Sequence, residues 1–204
     1  ASLESVLMCD GLNDAFTGES MGNTGETIAE EHGISREQSD AFALRSHALA
    51  HSGWEEGWLA REVFPVTGLE RDEGIRPESG AEVLAGLKTV FKNGGQVTAG
   101  NSSQVSDGAS AVLIASEKVA AEQNLPILAR IVEYATSGVE SHRVMSAPIP
   151  TVNKLLKMTG MKMDDVDILE HNEAFASASC AIRSSLGASE EGFNPHGGAI
   201  AIGH

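Results

Sequence analysis

From about residue 105 onward, short apolar runs alternate with helical patterns, and this alternation narrows the fold of the 204-residue chain more than any other feature. Residues 111–115 form an apolar run of strand length, and Ser116-Glu117 then opens a helix reaching about Asn124. Residues 127–136 read as a second strand, 150–159 as an amphipathic helix, and 166–170 as a third strand feeding a helix from Asn172 to about Leu186. Strands and helices interleaved at this interval predict an α/β layered fold.

The first half has a different texture, polar and helical, which predicts a boundary near residue 105. Ser35-Arg36-Glu37-Gln38 has the capping-box pattern: the serine oxygen accepts an orphan backbone N–H while the glutamine reaches back. The helix it opens should bury Ala41, Phe42, Leu44, Ala48 and Leu49, stop at Gly53 or Gly57, and be anchored by Trp54, Trp58 and Phe64. Residues 67–80 read as loop, 81–90 as a short helix, and 97–107 as a tight loop of turn-forming Gly, Asn, Ser and Thr.

Charge and cysteine usage exclude several classes of function. A net charge of −15 leaves no basic footprint for nucleic acid or an anionic membrane. A small anionic ligand would have to be gathered by local cations, for which Arg71, Arg76, Lys88 and Lys92 are near one another in sequence; solvated surface charges are the plainer reading. No charged-then-apolar leader opens the chain, and no stretch approaches the roughly 18 unbroken apolar residues that span a bilayer. The expectation is a soluble protein of the cytoplasm or an organelle matrix. Cys9 and Cys180 lie far apart without metal-ligand spacing, so no disulfide framework, no metal site and a reducing compartment are expected.

Two motifs carry the chemistry. Glu170-His171-Asn172-Glu173-Ala174-Phe175 falls where a strand should give way to a helix, which is where α/β folds bind ligands. Asn172 could there order a water or an anion, or simply cap the helix. The second motif, Gly197-Gly198-Ala199-Ile200-Ala201-Ile202-Gly203-His204, ends on an imidazole after three glycines that permit close backbone approach. Such a histidine can act as a general base near neutral pH, although a lone histidine is more often structural.

Taken together, Asn-Glu-Ala-Phe followed by Asn194-x-His-Gly-Gly-Ala-Ile-Ala-x-Gly-His204 resembles the paired signature of the thiolase family. The resemblance extends along the chain in thiolase order. It includes Ser20-Met21-Gly22 with Thr24 and Glu26, the Ile34-Ser35-Arg36-Glu37 helix start, and Thr98-Ala99-Gly100-Asn101-Ser102-Ser103 followed by Ser106-Asp107-Gly108-Ala109. It implies a partial thiolase-like fold: residues 1–105 as a mostly helical loop domain inserted in the N-terminal core domain, 106–126 as the end of that core domain, and 127–204 as a truncated C-terminal core domain. Thiolases interconvert a 3-ketoacyl-CoA plus CoA with two shorter acyl-CoAs through an acyl-cysteine. By matching positions, His204 resembles the histidine that activates the nucleophilic cysteine, and Asn172 the asparagine whose water completes an oxyanion hole. Ser103, Phe91, Phe175, Arg76, Met21 and Leu87 resemble residues lining the coenzyme A channel, with Arg76 toward the nucleotide. No tightly bound cofactor is implied; coenzyme A and acyl-CoA are substrates.

The departures from the family pattern are equally informative. Both family cysteines fall outside the matched segment, so the expectation is roughly half of a thiolase chain, inactive alone, whose intact parent is a homodimer or homotetramer. A complementing, non-catalytic coenzyme A-binding subunit of a split thiolase is the alternative. A ketosynthase-type condensing enzyme is disfavoured by the Met21-Gly22 segment and by Asn-Glu-Ala-Phe. Cys180, two turns beyond Asn172, and Cys9 are expected to be packing groups rather than substitute nucleophiles.

Overall fold

The computed structural model describes residues 3–204, so the first two residues of the expected loop domain lie outside the description. Seven α-helices are formed among the described residues: α1 (Met21–His32), α2 (Arg36–Glu55), α3 (Ala81–Ala85), α4 (Glu117–Glu122), α5 (Pro148–Thr159), α6 (Ala176–Leu186) and α7 (Ala199–Ile202). Local chemistry accounts for most of their ends. In α2 the Ser35 hydroxyl accepts from Gln38 N at 3.2 Å while Ser35 N donates to the Gln38 side chain at 2.8 Å, completing the expected capping box. Pro148 sits in the first turn of α5, where its missing N–H costs nothing. Gly33, Gly160 and Gly187 close α1, α5 and α6 in the left-handed region, at φ 63°, 70° and 66°.

The Ser35→Ala variant should lose about 1 kcal/mol of stability, since the cap oxygen is removed while the Gln38 N–H it served stays at the helix end. Chemical denaturation of the two proteins measures the difference.

At the centre of the packing, α6 contacts both α1 and α2. Its buried face, Ala176, Ser177, Ala178, Ser179, Ala181 and Ile182, is built of small residues that allow backbones to approach closely. The Ser177 hydroxyl donates to Gly25 O of α1 at 2.8 Å. On one side Phe42, Ile182, Leu186, Phe193 and Ile200 form a core, with Phe42 and Phe193 meeting edge to face at 6.1 Å. On the other, Ile28, Ala29, Ile34, Val97, Phe175 and Ala178 form a second.

Several expectations are corrected here. The buried stripe of α2 is Phe42, Ala43, Ser46, His47, Ala50 and Gly53, while Ala41 and Ala48 face solvent. Polar and small side chains take the inner face because other backbone runs against it: a Cβ on Gly197 would lie 2.4 Å from Ser46 O. Phe64 is 78% exposed and anchors nothing; Trp54 instead donates Nε1–H to Asp72 at 3.0 Å. The helix read over 81–90 stops at Ala85, because the Arg36 guanidinium takes the carbonyls of Leu84 and Leu87.

None of the three predicted strands is formed. Residues 111–115 and 127–136 are unpaired, with Leu113 84% and Leu128 97% exposed. In 166–170 Leu169 alone makes a bridge, donating its N–H to Gly192 O and accepting from Asn194 N. An apolar run becomes a strand only when a neighbour takes its backbone groups, and the described residues offer no such edge to the first two segments.

Candidate active site

The two motifs meet. Asn172 Nδ2 lies 3.3 Å from His204 Nε2, 32 residues apart in sequence, and both side chains are open to solvent. An amide N–H facing Nε2 suits the tautomer in which Nε2 accepts and the ring proton is on Nδ1.

Asn172 is not a helix cap, and α6 begins four residues later than the helix predicted from Asn172. The cause is that both neighbours of Asn172 are held from within. The Asn194 amide brackets the His171 backbone, accepting from its N–H at 2.7 Å and donating to its carbonyl at 2.8 Å. Glu173 is fully buried and accepts from Ser46 Oγ at 2.6 Å, Asn194 Nδ2 at 2.7 Å and Ile200 N at 3.2 Å. Residues 101–103 and 174–176 then pair, Ser103 N donating to Ala174 O and Ala176 N to Asn101 O, each at 2.9 Å. Asn172 is therefore the exposed residue on a backbone pinned at either side.

The same carboxylate steadies the histidine. By accepting Ile200 N it fixes α7, and the chain leaves α7 through Gly203 at φ +98° directly into His204. Gly198 comes so close to Glu173 that an added Cβ would lie 2.5 Å from its carboxyl carbon. Burial pushes the Glu173 carboxyl upward, against the pull of the Ser46, Asn194 and Ile200 hydrogen bonds, which favour the charged form. His171, with Nδ1 3.1 Å from Ser179 Oγ and its ring 6.0 Å from that of Phe193, is lowered to about 4 by burial and then by the charge of His204.

Of the six residues expected to face coenzyme A, four are contiguous. The Phe91 and Phe175 rings meet edge to face at 6.3 Å, and both lie on the glycine face of α1, where Cβ atoms on Gly22 and Gly25 would collide with them. Met21 precedes Gly22 at the helix start, and Ser103 is bonded to the residue before Phe175. Leu87 packs instead beside Gly100, whose added Cβ would lie 2.6 Å from its methyl carbon. Arg76 stands apart and exposed, its backbone N–H on His47 Nδ1 at 3.2 Å. Of the cation cluster, Lys92 is paired with Glu30 and Arg71 with Glu55, whereas Arg76 and Lys88 have no ion pair among the described residues.

A cavity of about 560 Å³ opens beside the pair, walled by Trp58, Glu62, Glu170, Asn172, His196 and Gly203, with Trp58 stacked on His196 at 5.4 Å. None of the six expected channel residues lines it. Among the described residues no cluster of three or more His, Cys, Asp or Glu is arranged to hold a metal, and no helix is long and apolar enough to cross a membrane.

The sequence expectations did not single out Glu173, Asn194 and Ser46, which this geometry uses. Glu173 and Asn194 sit inside the two motifs, and an acid running directly into the apolar Ala174-Phe175 is the signal that marks Glu173. Ser46 carries no such signal.

Known proteins resemble this chain in both sequence and backbone course. Family models described as "Thiolase, N-terminal domain" and "Thiolase, C-terminal domain" match residues 1–118 and 125–204. The 3-oxoadipyl-CoA/3-oxo-5,6-dehydrosuberyl-CoA thiolase of Escherichia coli is 43% identical over 200 residues, 93% of this chain and 50% of the relative. The peroxisomal 3-ketoacyl-CoA thiolase B of Rattus norvegicus is 45% identical over 197 residues, 90% of this chain and 46% of the relative. The crystal structure of human mitochondrial 3-ketoacyl-CoA thiolase in complex with CoA superposes with a TM-score of 0.92 at 39% identity, covering 96% of this chain and 50% of that one. The chain spans about half the length of the curated relatives it matches. The expected partial thiolase fold is thus the observed one, with its strand segments unpaired. Matched by both family models and sharing the backbone course of a solved member, the chain belongs to the thiolase family.

Proposed function

We propose that this chain supplies the base, the amide and the coenzyme A-facing wall of a thiolase-type acyl-CoA C-acyltransferase. The parent reaction is the CoA-dependent cleavage or formation of a 3-ketoacyl-CoA through an acyl-cysteine. The observation that carries this reading is the juxtaposition of Asn172 and His204, two side chains from distant motifs brought within 3.3 Å on backbones anchored to one buried carboxylate.

The chemistry follows from those groups. A neutral imidazole with an unprotonated Nε2 can take the proton of a thiol, and the resulting Nε2–H can then donate to the thioester oxygen as negative charge develops there. The Asn172 amide, beside that nitrogen, holds a water or the oxygen itself. The Phe91–Phe175 pair offers an apolar flank for the pantetheine arm, and Arg76 a cation for the nucleotide phosphates. In this reading residues 1–105 are the loop domain, 106–126 the end of the N-terminal core domain and 127–204 part of the C-terminal core domain. The whole protein is a homodimer or homotetramer of the cytoplasm or an organelle matrix, and takes no resident cofactor.

The nucleophile is supplied from outside these residues. Burial raises the Cys180 thiol to about 11, so almost none of it is thiolate near neutral pH, and its Sγ rests on Gln38 O at 3.7 Å. Cys9 is exposed on a π-helical turn, Leu7–Leu12, well separated in sequence from His204.

Titrating coenzyme A into the protein tests the binding side of this reading. Arg76→Ala should weaken the affinity about tenfold, the worth of one charge-assisted phosphate contact. Equal affinities for the native and Arg76→Ala proteins would remove Arg76 from the site.

A further inference from the structure

Gln104 joins two parts of the site that share no other direct tie described above. Its side-chain Nε2 donates to Gly74 O at 2.8 Å, to Ala201 O at 2.8 Å and to Ile200 O at 3.1 Å. An amide nitrogen has two hydrogens, so one of them is shared between two of the three carbonyls. Ile200 and Ala201 belong to α7, the four-residue helix that ends immediately before Gly203 and His204. Carbonyls in the last turn of a helix have no partner within it; Gly203 N satisfies Ala199 O, and Gln104 takes the next two.

On its other side Gln104 grips the loop that carries Arg76. Three hydrogen bonds reach residues 72–76 of that loop from outside it: Trp54 on Asp72, Gln104 on Gly74 and His47 on the Arg76 N–H. The first and third come from α2 or its end, and Gln104 alone of the three also reaches α7. Packing is tight at the shared point, since a Cβ on Gly74 would lie 2.0 Å from Gln104 Oε1. The base of Gln104 is itself fixed, because Ser103 just before it is bonded to Ala174 O, two residues from Asn172.

We propose that Gln104 is a positioning residue: its amide caps α7 so that His204 meets Asn172, and it links that turn to the loop presenting Arg76. The proposal rests on the reading of His204 as the base. It assigns Gln104 no contact with substrate.

Ring-nitrogen NMR of the histidine-labelled chain tests this, with His204 assigned by its absence from a His204→Gln variant. In the native chain the His204 ring should show one tautomer, protonated at Nδ1 with a bonded Nε2. Gln104→Met keeps length and volume but has no donor, and should return His204 to the tautomer mixture of a free imidazole while the buried His171 signal stays in place. Gly74→Ala leaves Gln104 intact but displaces the far end of its side chain, and should do the same; it decides the matter if Gln104→Met disturbs His171 as well. An unchanged His204 signature in folded Gln104→Met or Gly74→Ala overturns the proposal and leaves the functional reading standing. A free-imidazole signature already present in the native chain overturns both.

Discussion

Replacing Glu173 by alanine is expected to destabilise the chain by about 3–5 kcal/mol, the largest loss of any single change considered for the site. The side chain is fully buried and its two oxygens are the acceptors for Ser46 Oγ, Asn194 Nδ2 and Ile200 N. Alanine leaves the Ser46 hydroxyl, one of the two Asn194 amide N–H groups and the Ile200 N–H without this acceptor, in an interior where an unpaired polar group costs about 1–3 kcal/mol. It also leaves a void beside Gly198, whose backbone is shaped to the carboxylate. Glu173→Gln keeps the volume but turns one oxygen into a donor facing a donor, and should cost about 1–2 kcal/mol. Denaturant midpoints measure both. Because a domain of this size has only about 5–15 kcal/mol in total, the alanine variant should unfold at much lower denaturant, and an unchanged midpoint would mean that the network is not structural.

The second large effect is a dependence of stability on pH that runs through His171. Its ring is held to about 4 by burial and by the His204 charge, against an ordinary value of 6.5. Between those two values the unfolded chain carries the proton and the native chain does not. Stability therefore rises with pH across this window: the contribution is fully present above the unfolded value and is lost on acidification toward the folded one. At about 1.4 kcal/mol per unit the span amounts to roughly 3 kcal/mol. Carboxylates titrate in the same range, so the informative quantity is the difference between the native protein and His171→Gln. The native profile should be steeper by about that amount between pH 6.5 and 4. Parallel profiles would show that the ring is solvated and titrates normally.

What could be read from the sequence was decided locally; what could not was decided by distant neighbours. The Ser35 capping box, the Ser116 start of α4 and the proline-led α5 each depend on a few adjacent residues, and each is formed. Helix α1 went unread because Gly22, Thr24, Gly25 and Thr27 are poor helix formers. Its stability comes from the close approach those small residues allow to Phe91, Phe175 and Ser177. Apolar runs at 111–115 and 127–136 were rightly seen as apolar, but pairing is a property of two segments and cannot be seen in one. At the site, the motifs gave Asn172 and His204 without the carboxylate that brings them together. Glu173 lies 127 residues from Ser46 and 27 from Ile200, so its part as a hub emerges only when the chain is folded.

In the proposed function, that hub holds a base and an amide in register beside a coenzyme A-facing wall, and neither thiol of these residues forms the acyl intermediate. The most direct measurement is to supply acetoacetyl-CoA and CoA to the purified chain, follow loss of the 3-ketoacyl thioester, and then weigh the intact protein. The proposed function requires no cleavage above buffer and no acyl adduct on Cys9 or Cys180. Cleavage that disappears in His204→Ala, or an acyl group found on Cys180, would contradict it.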